Sequence, residues 1–279
     1  MASIASLSAL VEYLTGGNSG APETVFSFKA ARVSGASATA TVANKYTSLW
    51  TYDGQPGGGA APGSVAAPDN TTAGGLKQTD PAGGKTRWLT GVSVGVNQIG
   101  TLFLYDRLLH ISGLSGTTIT AQTVGGSLGR YTTTESPGNE IWAEIYTTIG
   151  TTARTITATY TDQDGNTGQT TQAVAIGGTG DREAQRLIRL PLASGDTGVR
   201  AVADCTLSAS TGTAGDFGIN VMRRILAIPI TTASVGAMIG PYGGLLPKEI
   251  KTDACLFWVW LANGTTAPEM YGSCTFVDA

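Results

Sequence analysis

The chain has 279 residues, of which only 13% are charged and 39 are glycine. Its 17 basic and 20 acidic side chains give a net charge of −3, which excludes the basic surface typical of proteins that bind nucleic acid or anionic membranes. The longest apolar run, Cys255–Ala262, is far shorter than a membrane-spanning helix, and the N-terminus lacks the basic region of a secretory signal. We therefore expect no nucleic acid and no membrane as partners.

The N-terminal segment contains the one helix that the sequence predicts. Apolar residues recur at helical spacing over Ser3–Leu14, and Gly16-Gly17 ends the pattern. A helix of this length is marginal on its own, so we expect it to dock either against its own domain or against a neighbouring subunit. After it, Thr24–Val33 and Tyr46–Tyr52 have the composition of strands.

The segment 53–85 has a different composition, because glycine, proline, alanine, threonine, asparagine and aspartate make up nearly all of it. Such a segment lacks the side chains for a core of its own. It is therefore either a disordered linker or an extended arm that takes its shape from contacts with other chains. We expect it to be disordered in the free protein, and it is the best candidate for an internal boundary.

From Thr86 onward the sequence predicts β strands at nearly regular spacing. The predicted strands are Arg87–Val96, Gly100–Leu109, Thr117–Val124, Ile141–Ile149, Arg154–Thr161, Gln169–Ile176, Arg186–Leu192, Val199–Ala209 and Asp216–Ile230. The last of these should break near Pro229, since proline cannot donate a hydrogen bond to a strand ladder. Ala254–Ala262 and Met270–Val277 should then form a hairpin across Asn263-Gly264.

The clearest strand pattern runs from Glu140 to Gln172 and indicates a β meander. Isoleucine, alanine and tyrosine alternate there with polar residues, mostly threonine, across expected turns at Gly150–Thr152 and Asp162–Asn166. The branched Cβ of threonine suits a half-exposed pleated surface. The large side chains that we expect in the core include Trp88, Trp142, Phe217 and Trp258.

These patterns predict an all-β fold, an antiparallel β-sandwich or jelly roll with one short N-terminal helix and a long Gly/Pro/Ala-rich arm. We divide the chain into four parts by sequence pattern. They are the N-terminal helix (1–20), the N-terminal strands with the extended arm (21–85), the main β-sandwich (86–232), and a C-terminal loop and hairpin packed on the sandwich (233–279). The weak surface charge protects open sheet edges poorly, which favours an assembly that covers them; a sticky monomer is the alternative.

Three cysteines, Cys205, Cys255 and Cys274, lie far apart in the sequence and form no C-x-x-C pair. An odd number at this spacing predicts buried free thiols in a protein from a reducing compartment, and not a disulfide framework. The two N-x-T sequences at Asn70 and Asn263 are then expected to be chance matches.

Two stretches are similar to ligand-binding loops but depart from them. Gly83-Gly84-Lys85-Thr86 is similar to the end of a phosphate-binding loop, yet the first glycine of that motif would fall on Thr79, and a strand follows where a helix is needed. The Asp162–Asn166 turn is similar to a calcium loop, but Thr167 and Ala173 stand where an EF-hand needs glycine and glutamate. An ordinary turn is the simpler interpretation, with an irregular calcium site as the alternative.

Few residues are candidates for catalysis. His110 is the only histidine, and no nucleophile motif accompanies it. Asp106 and Arg107 should form a structural ion pair at a strand end. Glu140 and Glu144 are four residues apart on one strand, so their side chains should point to the same side, as in many exposed strands and in some glycosidases. We expect no catalytic, cofactor-binding or metal-binding residues, no cofactor and no enzymatic activity.

Five stretches stand out in combination: Gly100–Gly113, Thr120–Val124, Ile141–Thr147, Thr155–Thr161 and Ser194–Arg200. Together they resemble a group of virion structural proteins of tailed bacteriophages, within a region from Thr86 to Ile230 that is about half of the chain. The resemblance carries no catalytic or binding residue with it. It implies a protein that is assembled in the host cytoplasm and located in the virion.

We therefore expect a non-enzymatic structural protein of a bacteriophage particle, and first of all a capsid decoration or cement protein that stabilises the shell through contacts of its β domain and arm. Its expected partners are other virion proteins, chiefly the major capsid protein, and further copies of itself in a homo-oligomer, for which we expect a trimer. The alternative is a tail- or fibre-associated module that recognises a host carbohydrate or receptor. A β-sandwich hydrolase acting on a cell-surface glycan is a third candidate.

Overall fold

The computed structural model describes residues 6–16, 22–30, 41–240 and 247–279. In these ranges the chain is nearly all β: strands make up 46% of it, and the single helix, α1, spans Leu7–Leu14. The strands pair antiparallel, which confirms the predicted all-β fold class. Within the same ranges, no helix is long and apolar enough to span a bilayer.

Seventeen strands lie in the described ranges. In chain order they are β1 (Glu23–Ala30), β2 (Tyr46–Ser48), β3 (Asp53–Gln55), β4 (Arg87–Val96), β5 (Gly100–His110), β6 (Gln122–Thr123), β7 (Asn139–Thr147), β8 (Arg154–Asp162), β9 (Gln169–Thr170), β10 (Val174–Ile176), β11 (Arg186–Leu190), β12 (Val199–Leu207), β13 (Asp216–Ile230), β14 (Gly236–Ile239), β15 (Lys248–Ile250), β16 (Leu256–Ala262) and β17 (Met270–Asp278). Most long strands match the predicted ones within two or three residues. The predicted first strand ended at 33, but residues 31–33 lie outside the described ranges, as do residues 3–5 of the predicted helix.

The strands form a three-layer arrangement with a closed barrel in the middle. The barrel has six strands in the order β11-β2-β16-β5-β13-β7. One flanking sheet, here called the β4 sheet, has the order β14-β4-β17-β1-β3 with β15 also paired to β4. The other, the β8 sheet, has the order β10-β8-β12-β6 with β9 also paired to β8.

Three apolar clusters follow from this layering. The first lies between the barrel and the β4 sheet and includes Leu104, Trp258 and Phe276. The second lies between the barrel and the β8 sheet and includes Ile141 and Phe217. Because consecutive strand residues point to opposite faces, the remaining side chains of the barrel strands point into the barrel and form the third cluster. With Trp50 and Cys255, which lie next to barrel strands, this cluster consists of Trp50, Phe103, Tyr105, Trp142, Leu187, Met222, Cys255, Phe257 and Val259.

Three of the four aromatic residues predicted in the core are almost completely buried, namely Trp142, Phe217 and Trp258. The fourth, Trp88, is only half-buried, so that part of the prediction is wrong. It lies on β4, a strand whose Leu89 neighbour takes the position that faces the barrel. Since alternate residues of a strand face opposite ways, the side chain next to a buried position is turned away from the core.

β16 and β17 do not form the predicted C-terminal hairpin. β16 pairs with β2 and β5 in the barrel, whereas β17 pairs with β1 and β4 in the β4 sheet. Nearly every residue of β16 is apolar and buried. A hairpin strand at the surface would leave half of these side chains in water, whereas a barrel strand between two layers covers both faces.

β7 and β8 likewise do not pair with each other, so the predicted meander is wrong at its first turn. β7 lies in the barrel and β8 in the β8 sheet. The chain crosses between layers at Gly150, where a Cβ would lie 1.8 Å from the carbonyl oxygen of Thr211, so only glycine fits. The second turn is as predicted: β8 pairs with β9 around Asp162–Asn166, and Gly165 has φ = 92°.

Pro229 does not break β13, contrary to the prediction. β13 pairs with β7 only from Asp216 to Arg223, whereas its pairing with β5 continues to Ile230. Beyond Arg223 the described strands therefore pair with β13 on one side only. A proline is tolerated there because an edge needs no donor from it.

The segment 53–85 contains the short strand β3 and otherwise irregular backbone that packs on the same chain. Leu76 is buried, and its N–H donates to the carbonyl oxygen of Leu256 at 2.7 Å. Ala66 and His110 exchange two backbone hydrogen bonds, of 3.0 and 2.9 Å. The prediction that this arm is disordered in the free protein is therefore wrong, since backbone bonds to barrel residues replace the core that its composition cannot supply.

Lys29 holds the start of the arm against β1. Its Nζ donates to the carbonyl oxygens of Pro56 at 2.8 Å and Tyr52 at 3.2 Å, and the side chain is almost completely buried. Burial lowers the pKa of Lys29 to about 8, and the nearby carboxylate of Asp53 opposes the shift. A buried ammonium among carbonyl dipoles is thus part of the link between sheet and arm.

The barrel takes strands from three of the four parts into which the sequence divides: β2 from 21–85, β16 from 233–279, and the rest from 86–232. The four-part division itself remains a prediction. Helix α1 lies against β17 of its own chain, with Leu10 buried.

Candidate functional site

His110 lies at the end of β5, where the barrel interior is polar. Its ring is buried and meets the ring of Trp50 edge-on at 5.6 Å between centroids. Nδ1 lies 3.3 Å from Nη1 of Arg107. Burial first, and then the charge of Arg107, lower the pKa of His110 to about 3. The imidazole is therefore neutral near pH 7, and Nδ1 accepts the hydrogen bond from Arg107.

Arg107 and Glu144 form a fully buried ion pair beside this histidine. Arg107 Nη2 lies 2.8 Å from Glu144 Oε2, and that oxygen also accepts from Nδ2 of Asn220 at 2.9 Å. The guanidinium lies over the rings of Trp50 and Phe257, 4.3 and 4.2 Å from their centroids. Stacking of this kind stabilises a desolvated arginine. Arg107, His110, Glu144 and Asn220 are here called the barrel charge cluster.

Asp106 and Arg107 do not form the predicted ion pair with each other. Asp106 binds Arg130 with both carboxylate oxygens, at 2.7 and 3.0 Å. It also accepts from the backbone N–H of Cys255 at 2.9 Å. Neighbouring residues of a strand point to opposite faces, so the two charges find separate partners inside and outside the barrel.

Glu140 and Glu144 both lie on β7, as predicted from their spacing, and each is bound by a cation. Glu140 Oε1 lies 3.2 Å from Nη2 of Arg189, and its Oε2 accepts from the indole N–H of Trp142 at 3.0 Å. Glu144 is held by Arg107. The two carboxylates are thus engaged in separate ion pairs.

The two loop sequences that are similar to ligand sites are turns in the structure. The carboxylate of Asp162 accepts from the backbone N–H groups of Asp164 at 2.8 Å and Asn166 at 2.9 Å, so it serves the turn itself. Gly83 and Gly84 are exposed, have φ values of 65° and 75°, and lead into β4. Among the described residues, no three His, Cys, Asp or Glu side chains are grouped so that they could hold a metal ion.

All three cysteines are free and buried, as predicted. Burial raises the pKa of each thiol to about 12, at Cys205, Cys255 and Cys274 alike. The thiolate is the reactive form of cysteine, so these side chains act as small apolar groups in the core.

The outward side of the β4 sheet carries large apolar side chains. Met238 is 80% exposed, Phe26 71%, Tyr271 46% and Phe28 45%. At roughly 200 Å² for each large side chain, these fractions amount to about 500 Å². An area of this size is comparable to the largest apolar patch of a typical soluble monomer, and that patch is often functional.

Strand register brings these residues together from distant parts of the sequence. Phe26 on β1 pairs with Ser273 on β17, Ser273 pairs with Ser93 on β4, and Ser93 pairs with Met238 on β14. In the next row Phe28 pairs with Tyr271, and a Cβ at Gly95 would lie 2.7 Å from the Tyr271 ring, which therefore lies over that glycine. We call this surface the outer face; its residues are Thr24, Phe26, Phe28, Gly91, Ser93, Gly95, Met238, Tyr271, Ser273 and Thr275. None of them is charged.

The outer face continues to an edge of β1 that the described strands pair only in part. β1 pairs with β17 from Glu23 to Lys29, but on its other side β3 pairs only with Phe28–Ala30. Among the described strands, nothing pairs with the rest of that edge. Unpaired edge backbone next to an apolar surface is a template for binding another protein.

Comparisons with known proteins return little. No protein-family model matches the chain, and no curated protein matches it. One solved structure aligns with it weakly, the crystal structure of the infectious bursal disease virus VP2 subviral particle. The alignment covers 92% of this chain and 80% of the other, at 10% sequence identity and a TM-score of 0.21. A TM-score this low carries no information about a shared fold or function.

Proposed function

We propose that this protein is a non-enzymatic structural component of a bacteriophage particle and that it binds the capsid shell through the outer face, as a decoration or cement protein. The observation that carries the proposal is the outer face itself, an uncharged surface with about 500 Å² of exposed apolar side chains, beside an edge of β1 that the described strands leave largely unpaired. The sequence resemblance to virion proteins of tailed bacteriophages suggests the partner, the major capsid protein.

The residues that chemistry would use are occupied with holding the barrel together, which supports a structural role. His110 is neutral and buried, and Glu140 and Glu144 are each bound by an arginine. A general acid or base must instead reach the substrate with a pKa suited to the working pH.

A cement protein stabilises a shell by mass action. It binds the assembled lattice and not the separated subunits, so its binding free energy adds to the stability of the assembled state. An uncharged sheet surface suits this role, because its affinity depends on apolar area and shape and changes little with salt.

We also propose that the protein forms a homo-oligomer, with a trimer as the expected form. Closed symmetry covers open strand edges without producing a growing fibre. Light scattering on the purified protein tests this, and a stable monomer at micromolar concentration would count against it.

The binding proposal is tested with a Phe26→Ser/Met238→Ser variant. The two side chains expose on the order of 300 Å² of apolar area. Burying that area contributes several kcal/mol as an upper bound at ~25 cal/mol/Å². We expect the variant to bind shells that lack this protein at least about tenfold more weakly in co-sedimentation.

The matched control is Ile119→Ser, which removes a 58% exposed apolar side chain outside the outer face. It should bind shells like the unmodified protein, and all variants should keep the same melting temperature because these side chains are exposed. Equal binding by the double variant and the control would refute the outer face as the contact. Copy number in purified particles separates the two phage roles, since hundreds of copies indicate the shell and a handful to dozens indicate a tail module that recognises the host.

A further inference from the structure

A cleft of about 390 Å³ lies where the barrel meets the edge strand β15 of the β4 sheet. Arg223 and Arg224 line it from β13, and Lys248 and Glu249 line it from β15. It shares no residue with the outer face. We call it the basic cleft, because cations outnumber carboxylates in it although the whole chain carries a net charge of −3.

The carboxylates of the basic cleft are already occupied. Glu135 and Glu249 both bind one cation, Lys251, whose Nζ lies 2.7 and 2.8 Å from their oxygens. Within the described residues, Arg224 and Lys248 have no carboxylate partner, and both are exposed. The cleft therefore offers positive charge that the folded chain leaves uncompensated.

One wall of the cleft is held in place before any ligand binds. Nη1 of Arg223 donates to the carbonyl oxygens of Glu135 at 2.9 Å and Pro137 at 2.7 Å, which orient the guanidinium without cancelling its charge. The same guanidinium stacks 4.3 Å from the ring centroid of Tyr131. Tyr131 has φ = 53°, a left-handed conformation that costs free energy in a non-glycine residue and tends to occur at binding sites.

We propose that the basic cleft binds an acidic peptide segment of a partner protein, with side-chain carboxylates on Arg223, Arg224 and Lys248. Planar arginine pairs with carboxylate through two parallel hydrogen bonds, and a lysine beside it adds a mobile charge. Four cations against two carboxylates give the cleft a net charge of about +2, which suits a short acidic segment better than the dense charge of a nucleic acid backbone. Ile225 gives the apolar residues of such a segment a surface to contact.

Fluorescence anisotropy tests the proposal with two labelled hexapeptides, one of alternating glutamate and leucine and one of alternating glutamine and leucine. The acidic peptide should bind at least tenfold more tightly. Its affinity should fall as salt rises from about 50 to about 300 mM, because the ion pairs are near the surface. An Arg224→Gln/Lys248→Gln variant should lose at least tenfold in affinity for the acidic peptide and nothing for the glutamine peptide.

A Lys45→Gln/Arg182→Gln variant is the charge-matched control. It removes two partly exposed cations that pair with Asp181 and Glu183 and do not line the cleft, and it should bind the acidic peptide like the unmodified protein. Equal losses in both double variants would mean a non-specific charge effect and would overturn the proposal. So would inorganic phosphate that binds at the cleft while the two peptides bind alike. Unchanged melting temperatures show that the variants are folded.

Discussion

Replacing Glu144 by leucine tests how much of the stability of the fold depends on the barrel charge cluster. The Glu144 side chain is only 1% exposed, and its Oε2 accepts hydrogen bonds from Arg107 at 2.8 Å and Asn220 at 2.9 Å. In Glu144→Leu the guanidinium stays in the barrel without a counter-charge. Breaking a buried pair in this way costs about 3–5 kcal/mol, a large share of the ~5–15 kcal/mol that stabilises a folded domain.

The double variant Arg107→Met/Glu144→Leu removes both charges and is the informative comparison. Its methionine would lie against Trp50 and Phe257, whose ring centroids are now 4.3 and 4.2 Å from the guanidinium. An apolar side chain of similar length fits against these rings and needs no partner, although the cation–π energy of up to about 2 kcal/mol is lost. We therefore expect the double variant to be more stable than Glu144→Leu by about 2 kcal/mol or more.

Urea denaturation at pH 7, followed by tryptophan fluorescence and circular dichroism, measures both changes. The reasoning would be refuted if the double variant were no more stable than the single one, since the cost would then come from lost packing and not from an uncompensated charge. A loss of unfolding free energy below about 1 kcal/mol in Glu144→Leu would equally contradict it, because a buried arginine without a counter-charge destabilises the fold by more than that.

Two pH predictions follow from buried bases. His110 has its pKa lowered to about 3, so between pH 6.5 and 3 the unfolded chain binds a proton that the folded one resists, and stability should fall as pH falls through that window. His110→Gln should lose less stability than the unmodified protein there and match its pH dependence above pH 7. Lys29 has its pKa lowered from 10.5 to about 8, so its contribution to stability should rise by up to about 3 kcal/mol from pH 8 to 10.5. Lys29→Met should lack that rise; urea titrations of each variant against the unmodified protein check both, and identical curves would contradict them.

Local features of this fold are predictable from the sequence alone. Alternation of apolar and polar residues is a property of a single strand, and it placed β4 and β13 with the bounds that the structure has. The same local signals identified the α1 helix, the Asp162–Asn166 turn and the burial of the free cysteines. The low charge predicts that surfaces are covered in an assembly, but it does not indicate which surface.

Only the tertiary structure decided which strands pair and which charges meet. β7 with β8 and β16 with β17 are neighbours in sequence but lie in different layers, because fully apolar strands need cover on both faces and a barrel between two sheets provides it. Asp106 and Arg107 have partners 24 and 37 residues away. The outer face joins Phe26 to Met238 across two intervening strands. Periodicity reports which way a side chain points relative to its own strand, whereas pairing depends on contacts between residues far apart in the chain, and no local pattern contains that information.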